Sequence, residues 1–477
     1  MSTQFLLITA VAAPLIAVLF IPLIGKFSKQ ARNVLSLIAA VVPFIACAIL
    51  AFAVLKGDSP EPVLFFGLAL KADMLAVFMG LVSSFLSSLI ILYSFDYISH
   101  YRDQNEYYFM VVLFLGAMMG LVFSSNLILL YVFWEITAIT SWRLIGFFRD
   151  REYVLKADKA FLVTAFGALA MLIGFIMIYQ TTGSFDLAAI KENLKTSPIA
   201  NLAVLLILAG IFSKSATLPF HTWLPDAGVA PSPVTALLHA AILVKIGVYV
   251  FARLFLATFN MEQFWHTVVP VIAFLSAIIS AGAAFIETDL KRLIAFSTIS
   301  QIGFIFFGLA IGNEMAVVGG LLYILMHGIA KAGLFLCAGI IEQNTKIRDI
   351  TKLGGLIKTM PVTAIAFLLC SFSVMGIPPF GGFFSKYLVF SGAIKSGHLF
   401  ITAAFLVAAF MTILYLFRVF NMVFLGEARS PQVKEASPTM VFTVASLGVL
   451  SLISGILVWY PYKFVQDAVW QMMGMVK

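Results

Sequence analysis

Five charged side chains stand deep inside apolar runs: Glu135 in LLYVFWEITAITSW, and Lys214, Lys245, Lys331 and Lys386. A charge at mid-membrane costs roughly 2.5–3.5 kcal/mol on insertion scales, so five such groups point to a use. Lysine suits proton relay: desolvation and neighbouring charge can bring an ammonium toward neutrality, whereas a guanidinium stays protonated. The competing reading is that Glu135 and a lysine pin two helices together, or that the lysines reach out to the interface. That simpler reading suits Arg143 and Arg418, which lie near helix ends. His327 and Lys331 in ILMHGIAKAGLFLCAG are four apart and share a helix face, with Gly328 and Gly333 allowing a neighbour or water close approach. His239 and Lys245 in ALLHAAILVKIGVY are six apart, so they face different parts of any route or reach around the helix. His221 and His398 read more readily as satisfied polar contacts.

These side chains must be positioned by membrane helices. The chain has 477 residues, 62% of them hydrophobic and 11% charged, a balance that excludes a soluble domain of this size. Apolar runs of about 18 to 25 residues recur throughout and give about fourteen spans of a hydrocarbon core roughly 30 Å thick. The expected fold is an all-α polytopic membrane protein. The first run lacks a basic start and a cleavage site, so it reads as a retained helix. Cys47, Cys337 and Cys370 sit in apolar runs without CxxC spacing, which argues against zinc, iron–sulfur ligation or disulfides. The net charge of +8 comes from basic residues scattered over short loops, the pattern of the positive-inside rule and not of a nucleic-acid stripe. Loops after odd-numbered helices hold 16 Lys and Arg, and the termini with the even-numbered loops hold 8, which leaves the six internal ones among 30. Both termini are therefore expected on the non-cytoplasmic side of a prokaryotic inner membrane. No nucleotide loop, metal cluster or nucleophile constellation is present to suggest a soluble enzyme.

Two helices must break. Pro219, Pro225, Gly228, Pro231 and Pro233 follow Lys214, and Gly376, Pro378, Pro379, Gly381 and Gly382 precede Lys386. Proline removes backbone donors, and irregular backbone at membrane depth survives only where protein or water satisfies it. Aligning Pro219-Phe220 with Pro379-Phe380 gives an offset of about 160 residues and hints at a five-helix repeat. An odd number of helices would insert consecutive copies in opposite senses.

The stretches FSKSATLPFHTWLPDAGVAPSPVTALLHAAILVK, DLKRLIAFSTISQIGF, LMHGIAKAGLFLCAG and IPPFGGFFSK together resemble the antiporter-like subunits of respiratory complex I, Mrp-type sodium/proton antiporters and membrane-bound hydrogenases. The resemblance spans roughly residues 70 to 425. It implies fourteen helices, inverted repeats of five helices with the seventh and twelfth broken, and four segments: 1–106, three N-terminal helices; 107–256 and 257–425, the repeats; and 426–477, a C-terminal helix and tail. It further implies that Glu135 and Lys214 form an acid–lysine pair, that Lys245 bridges to a central His327/Lys331 group, and that Lys386 is the exit-side charge. His239, His221 and Arg143 are possible accessories, with Arg143 in SWRLIGFF lacking an evident role. The implied activity is translocation of protons, with sodium possible, by a subunit of a complex I-related oxidoreductase or hydrogenase complex, docked against sister membrane subunits in the bilayer, with no cofactor or redox centre of its own. An Mrp-type antiporter without a redox partner and a coupling subunit of inorganic-carbon uptake are the alternatives.

Overall fold

The computed structural model describes residues 2–64, 68–195, 198–429 and 433–475. Sixteen main helical segments organise the described chain: α1 Thr3–Phe27, α2 Lys29–Leu55, α3 Met74–Tyr97, α4 Gln104–Phe123, α5 Leu127–Ile145, α6 Arg151–Thr182, α7 Asn201–Lys214, α8 Ser232–Leu256, α9 Trp265–Ile286, α10 Leu290–Ile311, α11 Glu314–Thr345, α12 Pro361–Met375, α13 Gly381–Lys395, α14 Leu399–Phe424, α15 Pro438–Ile456 and α16 Trp459–Met473. Among the described residues, twelve helices are long and apolar enough to cross a membrane; α7 and α12 are shorter apolar helices.

Local chemistry sets the helix starts. Asn126 accepts hydrogen bonds from the Ile128 and Leu129 amides, Asp289 from Arg292 and Asn313 from Ala316, which satisfies donors that a first turn leaves open. Gly183 and Gly312 close α6 and α10 in the left-handed conformation. Burial then sorts the helices. The apolar window of α8 is 100% buried and that of α11 is 94% buried, against 39% for α1, so α8 and α11 form the centre of the molecule. Helix α11 packs against α3, α8, α10, α12, α13, α15 and α16.

Both expected breaks are present. After α7 the chain turns at Ala216, φ +51°, and runs through short turns before α8 begins. Between α12 and α13 it turns at Gly376, φ +81°. The long apolar stretch 361–393 is thus two short helices. Element bounds also recur along the chain. Leu290 begins α10 163 residues after Leu127 begins α5, and the 32-residue helices α6 and α11 begin with the same separation. The backbone bridges Asn126 to Asp186 and Asp289 to Asp349 share it too.

Two features depart from the expectations. The 459–473 stretch, read as tail, is helix α16; it packs on α3 and α11, where the Gln471 carboxamide accepts from the Met74 amide and Trp470 donates to Glu314. Helix α8 is not uniformly α-helical, because Leu237–Ala241 is wound as a π-helix. That winding changes which faces His239 and Lys245 present.

Candidate functional site

Lys214, Lys245 and Lys331 are fully buried and Lys386 is 5% exposed. Among the described residues none of the four is ion-paired with a carboxylate; each instead donates to a backbone carbonyl. Lys214, the last residue of α7, reaches the Trp134 carbonyl of α5 at 3.1 Å, with its ammonium 5.1 Å from the Trp134 ring centre. Lys245 donates to the Ala240 carbonyl in the π-wound stretch of its own segment. Lys331 on α11 bonds the Ile294 carbonyl at 3.1 Å and the Ser297 hydroxyl at 2.6 Å, both on α10. Lys386 follows the second break yet reaches back to the Val374 carbonyl of α12 at 2.8 Å. Irregular winding near Ala240 and the helix end near Val374 leave carbonyls short of helical partners, and ammonium groups take them up.

The central groups converge on α11. A Cβ on Gly328 would lie 2.7 Å from the Lys245 Nζ, so the glycine makes the space that this ammonium occupies. His239 packs its ring against Phe335, 4.6 Å between centres. Gly328 and Phe335 are seven apart and share a face of α11. The π-helix therefore turns both His239 and Lys245 toward α11, where their six-residue spacing had indicated different faces. Both ring nitrogens of His239 and of His327 are buried without a hydrogen-bond partner.

Glu135 is placed differently from the expectation. It is half-buried, and it makes no ion pair with Lys214 although the two interact electrostatically. Val132 and Ile139, 46% and 50% exposed, share its helix face, so Glu135 looks toward the outer surface while the carbonyl of Trp134 faces Lys214. One carboxylate oxygen of Glu135 is buried without a partner. Arg143 pairs with Glu106 of α4, which also binds Arg149 at 2.7 Å, so it joins a charge cluster at the helix ends. Arg418 donates to the carbonyls of Phe285 and Glu287 at the end of α9. His221 is half-buried in the first break with Nδ1 unpartnered, and His398 caps the start of α14.

Several groups were not recognisable from sequence. Tyr323 donates to Gln301 at 2.7 Å, and the Gln301 amide reaches Thr412 at 3.2 Å; the Lys386 ammonium lies 5.6 Å from the Tyr323 ring centre. Tyr415 and Lys331 share the Ser297 hydroxyl. Arg32 and Lys291, which the count of basic residues left outside the six internal ones, are each only 2% exposed. Arg253 clasps Asp73 with its two terminal guanidinium nitrogens. The signal that could have found Lys291 and Arg253 was a basic residue within a turn of an apolar run's end. The polar side chains gave no such signal.

Comparison with known proteins identifies the family and the fold. The chain is 36% identical to a Na(+)/H(+) antiporter subunit from Alkalihalophilus pseudofirmus over 80% of its length and 52% of that protein. It is 33% identical to the A1 subunit of a Na(+)/H(+) antiporter from Staphylococcus aureus over 94% of its length and 61% of that protein. The chain thus spans about half to three-fifths of these curated relatives. In fold it matches a chain of the Mrp complex from Dietzia sp. DQ12-45-1b, with TM-score 0.90, 21% identity and coverage of 99% and 98% of the two chains. It matches a chain of the membrane-bound sulfane sulfur reductase, an archaeal respiratory membrane complex, with TM-score 0.90, 24% identity and 98% coverage of both. Residues 124–412 match the family described as NADH:quinone oxidoreductase/Mrp antiporter, TM, and this multi-pass membrane chain, with its buried lysines and two broken helices, belongs to that family.

Proposed function

We propose that this chain is a proton-translocating, antiporter-like subunit of a multisubunit membrane complex. The observation that carries the reading is the row of buried lysines, each held by a backbone carbonyl and, among the described residues, none ion-paired with a carboxylate. A structural lysine at this depth is normally paired, because an uncompensated charge in low dielectric is costly. A lysine that must alternate between charged and neutral is better served by a dipole that tolerates both states. Protons would pass between Lys214, Lys245, the His327/Lys331 group and Lys386, with His239 as accessory. Glu135, looking outward from α5, would report the state of a neighbouring subunit to Lys214 electrostatically, and Arg143 would brace the same helix.

The recurring element bounds support two five-helix repeats, 107–256 and 257–425, following a three-helix segment 1–106 and preceding 426–477. Basic residues at one end, including Arg149, Lys156, Arg292 and Arg348, favour placing that end in the cytoplasm and both termini on the far side of an inner membrane. The named antiporter relatives favour sodium as the exchanged ion, while the respiratory neighbour keeps a redox-driven complex as the second reading. Purification in mild detergent tests both. Co-purification of small membrane subunits, with sodium-dependent proton movement in vesicles, is expected for the antiporter; iron–sulfur subunits and sodium-independent pumping would favour the redox machine. A chain that purifies alone and leaves transport unaffected when deleted would refute the proposal.

A further inference from the structure

Lys291 opens α10 near the charged end of the molecule, yet it is buried. Its Nζ lies 3.0 Å from Glu342 on α11 and donates to the Ala230 carbonyl at 2.7 Å. Glu342 also accepts from the Ser232 hydroxyl at 3.4 Å and lies 3.8 Å from the Arg348 Nε. Arg348 pairs with Asp289 at 2.9 Å and borders a polar cavity of about 220 Å³ that it shares with Lys156, Asp226 and Arg292. The Lys291–Glu342 pair therefore stands between a charged cavity and the interior.

What lies inward is set by helix spacing. Ser232 and His239 are seven apart on α8, and Glu342 and Phe335 are seven apart on α11, so each pair shares a face. Ser232 meets Glu342 and His239 meets Phe335, which places His239 two turns, about 10 Å, below the ion pair. Hydroxyls line this seam. Thr235 lies between Ser232 and His239, and the Tyr97 hydroxyl approaches Ser232 at 3.4 Å. Gly339 lets the helices close here, since a Cβ on it would lie 2.5 Å from that of Ser232. At the foot of the seam both His239 nitrogens are buried and unpartnered, one turn of α11 short of Lys331, and His239 interacts electrostatically with both Lys291 and Lys331.

We propose that Lys291 and Glu342 form the proton-uptake pair on the basic face of the protein, and that His239 links them to Lys331; this rests on the relay reading above. A proton from water in the cavity binds the Glu342 carboxylate. The released Lys291 ammonium gives its proton inward, through the Ser232 and Thr235 hydroxyls and intervening water, to an unpartnered nitrogen of His239. Neutral Lys291 then takes the proton from Glu342 and restores the pair, and the imidazolium passes its proton to neutral Lys331. One proton moves inward, and only N–H and O–H bonds change.

The alternative is that the pair merely pins α10 to α11. Variants of the whole chain in its assembled complex, assayed for coupled proton movement in inverted vesicles at matched complex content, separate the two. Glu342→Gln is expected to lower transport at least about tenfold. The double variant Lys291→Met with Glu342→Gln removes both charges together, so packing no longer suffers from an unpaired ion. It is expected to remain as slow as the single variant; recovery to within about twofold of wild type would overturn the proposal. If charge removal blocks assembly, Thr235→Val decides, being isosteric and uncharged: transport slowed about threefold or more is expected, and transport within about 1.5-fold of wild type would overturn the route. Lys331→Ala in the same vesicles reports separately on the underlying relay, since undiminished transport there would refute that reading whatever Glu342 does.

Discussion

At the scale of single residues, the central contact is that of Gly328 with Lys245. The nearest neighbours of an added Cβ are the Lys245 ammonium at 2.7 Å and a Leu86 methyl at 2.8 Å, both flexible ends and not backbone. Gly328→Ala is therefore expected to leave the complex assembled while displacing the Lys245 ammonium, and to slow coupled transport about tenfold or more. Equal transport by wild type and variant in matched vesicles would argue that Lys245 has no part in the route. The four lysines were legible in the sequence because a charge inside an apolar run is conspicuous. Gln301, Tyr323, Thr412, Ser297 and Tyr415 were not, since Ser and Thr hydroxyls in membrane helices commonly bond their own backbone, and the Gln and Tyr links are set by tertiary contact alone. Glu135 was legible as an unusual residue but not in its orientation, which depends on which face of α5 the rest of the molecule leaves open.

At the scale of elements, the second break depends on a close crossing. A Cβ on Gly382, at the start of α13, would fall 1.8 Å from the Ser373 carbonyl oxygen of α12, a backbone atom that cannot move alone. Gly382→Ala is expected to separate the two half-helices and sharply reduce the amount of folded chain recovered in detergent, in contrast to Gly328→Ala; normal recovery with an unchanged melting temperature would show that the crossing is looser than described. Prolines and glycines made both breaks readable beforehand. The π-helix in α8, which packs on α11, was not readable, because LLHAAILVK carries no proline or glycine to mark it. Helix α16 was missed because its charges and Pro461 depress the apolar signal, although its buried face docks on α3 and α11.

At the scale of the whole molecule, charge is concentrated at the ends and sets the acid response of the fold. Burial pushes the Asp226 carboxyl up, but hydrogen bonds from Lys159 and Arg292, both 2.7 Å, outweigh it and hold Asp226 below the ordinary carboxylate range. Glu287 behaves alike: burial is outweighed by the Asp289 amide and the Arg292 guanidinium. A carboxyl held lower in the folded than in the unfolded state contributes stability above its unfolded pKa, near 4, and loses it as pH falls through the folded value. Thermal stability in detergent should therefore be insensitive to these groups from about pH 7 to 5 and decline below about pH 4, and Asp226→Asn should make that decline shallower. Parallel wild-type and variant curves would contradict the assignment. Family membership was legible at this scale because the long motifs around both breaks occur in order along the chain. The uptake seam between α8 and α11 was not, because Lys291 lies where a loop and a first helical turn look alike in sequence.

The most direct test of the relay is to replace Lys331 by alanine and, separately, by arginine, and to measure coupled proton movement by the assembled complex in vesicles. Alanine removes the carrier; arginine keeps the positive charge but cannot release its proton. Both variants are predicted to assemble and to lose transport by about a hundredfold or more. Arginine sustaining near wild-type transport would mean that the protein needs only a fixed charge at this position, and the proton relay would be wrong.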